Sequence, residues 1–600
     1  MFLHRGEIIS RAVIVALWIL SIAPHTAVGG SAELRSASLV SGEQAPAQVN
    51  ANNGLKPILG YIGASWDSLT RSMTECGSVV DPKIKVPPVL YLPKNMPEPD
   101  AVKKLAAACN VQVERLPIVI HRLGEIDMSA IHTQGLLYLP NEYVVPGGRF
   151  NEMYGWDSYF IIRGLLQSGR IELAKGMVEN FLFEIENYGA MLNANRTYYL
   201  TRSQPPFVSS MVVDVYNAMQ KSRPQGQAWE DQAWLARAYD DLEKDYEMWT
   251  RPPHLAGDTG LSRYYDFGEG PAPESLQDET GYYRKVAEYF LFHPAQDEGY
   301  ISEVGAGIEP PAGSPLYSLR ICGGPSSGGQ PACQPRKEFT LSADYYKGDR
   351  SMRESGFDVS FRFAPFGAAT QHFAPVCLNT LLYKTEKDLE QISLWLGRRS
   401  QAEQWSARAQ RRKRLINQYL WDEKTGFFFD WNLVTGRRST YRYATTFYPL
   451  WAGLATPEQA AAVRKNLPLL EKPGGLAMSI DDTGAQWDLP YGWGNIEMLA
   501  IGGLRKYGFA HDADRVAYEF LSMVLENFRR DKDIVEKYNV VTRSSDAHAQ
   551  LGYEINVVGF GWTNAAFLEL LHDLPPNMRA CLENRQTIPP AHAACIGCKN

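Results

Sequence analysis

Glu152, Asp157, Glu274, Glu354, Asp358, Asp488 and Glu554 share a setting: each stands beside aromatic, Arg or Gly residues, in a segment between apolar-periodic stretches. Cleavage of a glycosidic bond uses that combination. One carboxylic acid protonates the leaving oxygen, a second carboxylate attacks the sugar or activates water, and aromatic faces stack on sugar rings. A single Asp or Glu in a loop is ordinarily a helix cap or a surface ion pair, so the signal is the recurrence and not any one residue. Competing chemistries find no template. The 11 His include no HExxH and no i, i+4 pair, and the chain has no P-loop, which leaves zinc-hydrolase and phosphoryl-transfer readings without their residues.

The elements that must position these loops repeat with the helical period. Spacing predicts helices over 156–168, 170–187, 207–221, 228–250, 277–292, 377–397, 402–421, 457–466, 495–506 and 511–527, whereas only short segments such as 427–430 alternate like strands. These helices come in neighbouring pairs with no internal Pro/Gly linker, which predicts one large all-α domain, a toroid of paired helices. Aromatics make up 12% of the 600 residues, enough to pack such a ring and still furnish a wet, ligand-facing surface. The net charge of −7 argues against nucleic acid as a partner.

The first 29 residues read as a signal peptide. His4, Arg5 and Arg11 accompany an apolar stretch at 12–23, too short for a membrane span, and Ala27, Val28 and Gly29 suit cleavage. Residues 30–57, poor in large apolar side chains, read as a flexible leader. The expected organisation is thus a catalytic domain at 58–575 and a Cys-containing tail at 576–600, exported to the periplasm or the cell exterior, with no membrane span in the mature chain. Eight Cys fit that compartment. Cys322 and Cys333 bracket a Gly/Pro/Ser-rich loop and read as a loop-closing bridge, with Cys76 and Cys109 as a second pair. Cys595 and Cys598 read as a tail disulfide near Cys581, and Cys377 as a buried thiol.

Longer motifs then become recognisable. PGGRFNEMYGWDSYF at 146–160 resembles the first signature of the glycoside hydrolase family 37 trehalases, and QWDLPYGW at 486–493 resembles the second. Between and after them, NRTYYLTRSQPPF (195–207), ESGFD (354–358), VEKYN (535–539) and GFGWTN (559–564) keep the family's order. The resemblance covers roughly residues 60 to 570 and implies an (α/α)6 barrel and a monomeric α,α-trehalase acting on a small disaccharide with inversion. It implies no metal or organic cofactor.

By match to the family's E-S-G-W-D motif, Asp358 is the expected general acid, with Phe357 in place of the usual Trp. The family's base lies in a Gly-rich G-G-G-G-E-Y run ahead of GFGWTN. Here that segment reads AQLGYEINVV, so Glu554 is the candidate base, with Glu274 and Glu536 behind it. Arg149, Trp156, Asp157, Asn193, Arg202, Ser203, Gln204, Glu274 and Gly356 are expected to hold the sugars. Gln486, Trp487 and Asp488 are expected to line or brace the pocket. One departure bears on substrate: the family's P-R-P-E-S reads Pro271-Ala272-Pro273-Glu274-Ser275, which removes an Arg, although Arg263, Arg353 and Arg362 are near in sequence. Two alternatives stay open, a same-fold exo-glycosidase acting on another small α-glucoside and a catalytically inactive sugar-binding protein.

Overall fold

A computed structural model describes residues 54–80, 87–222, 228–277, 281–305, 309–320, 322–325, 331–552 and 556–584. The expected signal peptide, nearly all of the leader and most of the tail, Cys595 and Cys598 included, lie outside the described residues.

Among the described residues, twelve helices build the barrel: α1 (Lys56–Ser68), α2 (Gly155–Gln167), α3 (Ile171–Tyr188), α4 (Val208–Ser222), α5 (Ala228–Trp249), α6 (Val376–Trp395), α7 (Arg399–Tyr419), α8 (Tyr448–Trp451), α9 (Pro457–Lys465), α10 (Gly494–Lys506), α11 (Ala510–Asp531) and α12 (Gly561–Asp573). The even-numbered helices form an inner ring in which α2 packs on α4, α4 on α6, α6 on α8, α8 on α10, α10 on α12, and α12 back on α2. Outer helices α3, α5, α7 and α11 each pack on the inner helix before them, and α1 covers α12. This is an (α/α)6 barrel, as the sequence predicts. Among the described residues no helix is long and apolar enough to cross a membrane.

The two rings differ in sequence for a physical reason. An inner helix is enclosed on all sides, and α2 accordingly buries every residue from Gly155 to Ile162. An outer helix buries one stripe. In α7 the buried residues Ala402, Trp405, Ala409, Arg412 and Ile416 recur at steps of three and four, and most of the remainder is charged or polar. The ring closes tightly where α1, α2 and α12 meet: a Cβ on Gly164 would lie 2.8 Å from that of Ala565 and 2.9 Å from the Trp66 ring.

Small sheets brace the connections. A parallel sheet of β1 (Val89–Leu92), β2 (Gln112–Arg115) and β3 (Leu136–Leu137), in the order β2-β1-β3, lies ahead of α2. It grips the α3–α4 connection, since Leu137 N–H donates to the Asn195 carbonyl and Asn195 Nδ2 donates back to Leu137 O. The long α5–α6 connection carries β4 (Ile301–Glu303), β5 (Tyr317–Leu319), β6 (Cys322–Pro325), β7 (Pro331–Cys333) and β8 (Lys337–Leu341). There β8 runs antiparallel between β4 and β5, over a separate apolar cluster that reaches Val359, next to the expected acid. A last antiparallel pair, β9 (Tyr491–Trp493) with β10 (Lys537–Asn539), ties the entry of α10 to the α11–α12 connection.

Cys76 and Cys109 form a disulfide, Cys377 is a buried free thiol, and Cys333 is disulfide-bonded and stands in register with Cys322.

Candidate active site

Connections leading into the inner helices converge on one cavity. The connections into α2, α4, α6, α10 and α12 contribute to its wall. Arg149, Trp156 and Asp157 come from the entry to α2, and Asn193, Arg202 and Gln204 from the α3–α4 connection. Glu274, Arg353, Gly356 and Asp358 come from the α5–α6 connection, Trp487 from the entry to α10, and Glu536, Phe560 and Trp562 from the entry to α12.

Three residues expected from sequence are not on the wall, and of these Gln486 and Asp488 take the bracing place that was one of their two expectations. Ser203 is buried behind the wall, its Oγ donating to the Met191 carbonyl and its N–H to Glu354 Oε1. Gln486 braces from behind, Nε2 donating to the Asp358 carbonyl at 2.5 Å. Asp488 is fully buried and accepts from Ser360 Oγ and Phe361 N–H, in the segment that follows Asp358, and from Thr483 Oγ1. Burial outweighs those donors and pushes its carboxyl up to about 6. Glu554 lies outside the described residues. Glu152 and Glu354, singled out as carboxylates, are structural: Glu152 pairs with Arg196, and Glu354 Oε2 accepts the Tyr265 N–H at 2.6 Å.

Two wall residues ranked low in the sequence are central in space. Glu536 is buried, its carbonyl accepting from Trp562 Nε1 and Thr563 Oγ1 while its N–H donates to Val557 O. The VEKYN segment carries it, so the signal was present. Arg353 brings a guanidinium to the wall that Ala272 leaves without one. Its Nη1 lies 3.9 Å from Asp358 Oδ2, its Nε 3.3 Å from Asp349 Oδ2, and its plane covers the Tyr282 ring.

The electrostatics divide the wall. Arg202 donates to Asp266 at 2.8 Å and to Glu274 at 2.5 Å. Against the cost of burial, Arg202 and Arg353 hold the Glu274 carboxyl below its ordinary value. On the opposite side three carboxylates gather. Burial first, then the charge of Glu536 and also that of Asp358, raise the Asp157 carboxyl well above its ordinary value. Under them lies an aromatic floor. Trp156 meets Phe357, Trp487 and Trp562 with centroids 5.3–5.9 Å apart, and Trp487 stacks flat on Trp493 at 3.7 Å. Paired carboxyls, forked cations and apolar faces in one cavity suit hydrolysis at an anomeric carbon.

Comparison with known proteins settles the kinship. The trehalase family model matches residues 88–306 and 338–575. This chain belongs to the trehalase family. It is therefore a glycoside hydrolase of the α,α-trehalase kind. It is 36% identical over 566 residues to a probable trehalase of Eremothecium gossypii, spanning 84% of this chain and 70% of that one. It is 35% identical over 583 residues to the cytosolic neutral trehalase of Neurospora crassa, spanning 86% and 73%. In structure it resembles neutral trehalase Nth1 from Saccharomyces cerevisiae, with a TM-score of 0.70 and 31% identity over 88% of this chain and 96% of that one. The gap in the family match, 307–337, falls in the strand-bearing α5–α6 connection. These relatives correct the expectation of a periplasmic or extracellular protein, because those of N. crassa, S. cerevisiae and Kluyveromyces lactis are named cytosolic.

Proposed function

We propose that the cavity hydrolyses α,α-trehalose with water to two glucose molecules by a single, inverting displacement. Asp358 gives its proton to the bridging oxygen. Glu536 takes a proton from the water that attacks the anomeric carbon from the opposite face. Arg149, Asn193, Arg202, Gln204, Glu274 and Arg353 hold sugar hydroxyls, and Asp157 accepts from one of them. The observation that carries this reading is the presence of Asp358 and Glu536 on the wall of one cavity, over a floor of Trp rings.

Glu536 takes the role that the family resemblance gives to Glu554. Glu536→Gln and Glu554→Gln measured side by side test the reassignment. The first is expected to lower kcat on trehalose by about 10²–10⁴-fold, the range of a lost general base. A loss of that size in Glu554→Gln alone would return the role to Glu554. Inversion is read from early products by proton NMR, as one α- and one β-glucose, whereas retention gives two α. The alternative, an exo-glycosidase of another small α-glucoside, is motivated by Ala272. Glucose release from other α-glucosides but not from trehalose would establish it.

A further inference from the structure

A buried ammonium stands beside the proposed base. Lys537 follows Glu536 in the chain, its side chain is fully buried, and Nζ lies 3.3 Å from Glu536 Oε2. Lysine is almost never buried without a charge partner, because an ammonium loses far more than an apolar group on leaving water. Lys537 is not among the residues that line the cavity, so substrate contact does not account for it. Its place is fixed from several sides. In the β9–β10 pair it stands opposite Trp493, and Nζ lies 5.3 Å from the centre of that ring. Asn556 clamps its backbone, accepting from the N–H and donating to the carbonyl. Trp493 in turn is held flat against Trp487, a wall residue.

The distribution of charge gives the ammonium a purpose. Glu536 shares the cavity with Asp157 and Asp358, and its charge already bears on Asp157. The guanidinium of Arg353 is turned to Asp349 and Asp358, and that of Arg202 to Asp266 and Glu274. A base must be ionised before it can take a proton, and a fixed opposite charge within reach of a carboxylate favours its ionised form. We propose that Lys537 is a positioning residue for the base: it supplies the fixed counter-charge of Glu536 and, by engaging Oε2, leaves Oε1 to face the attacking water. This inference rests on Glu536 being the base.

The test uses the full chain, with kcat/KM for trehalose measured across pH 4–8 together with KM and the melting temperature. Lys537→Met is expected to move the lower-pH limb upward by about one unit or more, the low end for loss of an opposite charge at this range. Activity below the limb then falls about tenfold, KM stays within about twofold, and Lys537→Arg keeps the limb in place. A limb that stays put in Lys537→Met, with activity reduced evenly at every pH, overturns the proposal. If the Met variant does not fold, Lys537→Gln is read the same way. If neither neutral variant folds while the Arg variant does, the lysine serves folding and the proposal fails. Glu536→Gln separates the two layers. Wild-type turnover in that variant removes the base assignment itself, whereas an inactive variant beside an unmoved Lys537→Met limb removes only the role of Lys537.

Discussion

Asp157 sits in the first turn of α2, buried, with three further carboxylates, Glu274, Asp358 and Glu536, on the same cavity wall. Its carboxyl is raised well above the ordinary value by burial, by Glu536 and by Asp358, so binding and folding make opposite demands of it. Between the unfolded value of about 3.9 and the raised folded value, the folded state holds the extra proton, and stability falls as pH rises through that window. Asp157→Asn removes the titration. Its melting temperature is expected to exceed that of the wild type at pH 7, with the gain shrinking toward pH 4, and calorimetry at both pH values checks the sign. Loss of a charged acceptor for a sugar hydroxyl lowers kcat/KM by about 10–100-fold. At this scale the sequence shows residue types well and roles less well. The ESGFD match pointed to Asp358, which lines the cavity. Glu536 stood behind Glu554 because the resemblance places the base just ahead of GFGWTN, and the linear order of the single α11–α12 connection that carries both residues does not show which part of it reaches the cavity. Arg353 ranked low because only folding brings its side chain to the wall opposite Ala272.

Most helices with one face buried and the other wet were legible, as in α7, with observed bounds within about five residues of those predicted from spacing, whereas α1 and the helix Asp100–Cys109 were not predicted. Three further helices were missed for distinct reasons. Helix α12 is enclosed on nearly every side and shows no stripe. Helix α8 is a single turn. The helix Ala343–Glu354 reads as polar surface, yet every residue from Tyr345 to Glu354 is buried, its charges paired internally as in Arg353 with Asp349 and Arg350 with Asp266. The small sheets lack period because most of their strands hold two to four residues. The turn that follows Ala343–Glu354 delivers Asp358, the proposed acid, and it depends on Gly356, whose φ is +75° and where a Cβ would lie 2.7 Å from the Trp156 ring. Gly356→Ala must adopt a disfavoured backbone, at about 1–3 kcal/mol, or shift the turn. Displacing Asp358 by about 1 Å costs about 10²-fold. Steady-state kinetics are therefore expected to show kcat reduced by about that factor, with KM changed far less and a lowered melting temperature.

The whole molecule depends on closing a ring. The (α/α)6 count could not be read from helical period alone, because the closing helix is the one without a stripe; the motif resemblance provided it. Closure is tightest at Gly164. Gly164→Val overpacks the junction of α1, α2 and α12 and is expected to cost about 1–3 kcal/mol. Urea unfolding should show a lower midpoint with an unchanged slope, and an unchanged midpoint would mean that the junction yields. The same junction has a consequence for the chain as it is made. About 400 residues separate the two helices that meet there, and at ~5–20 residues per second a ribosome needs ~20–80 s to cover them. Throughout that interval the apolar seam of α2 is without its permanent neighbour. Asp157 and Glu536, carried on the two sides of the seam, face one cavity only after α12 has been synthesised. The catalytic centre is therefore among the last things a nascent chain acquires.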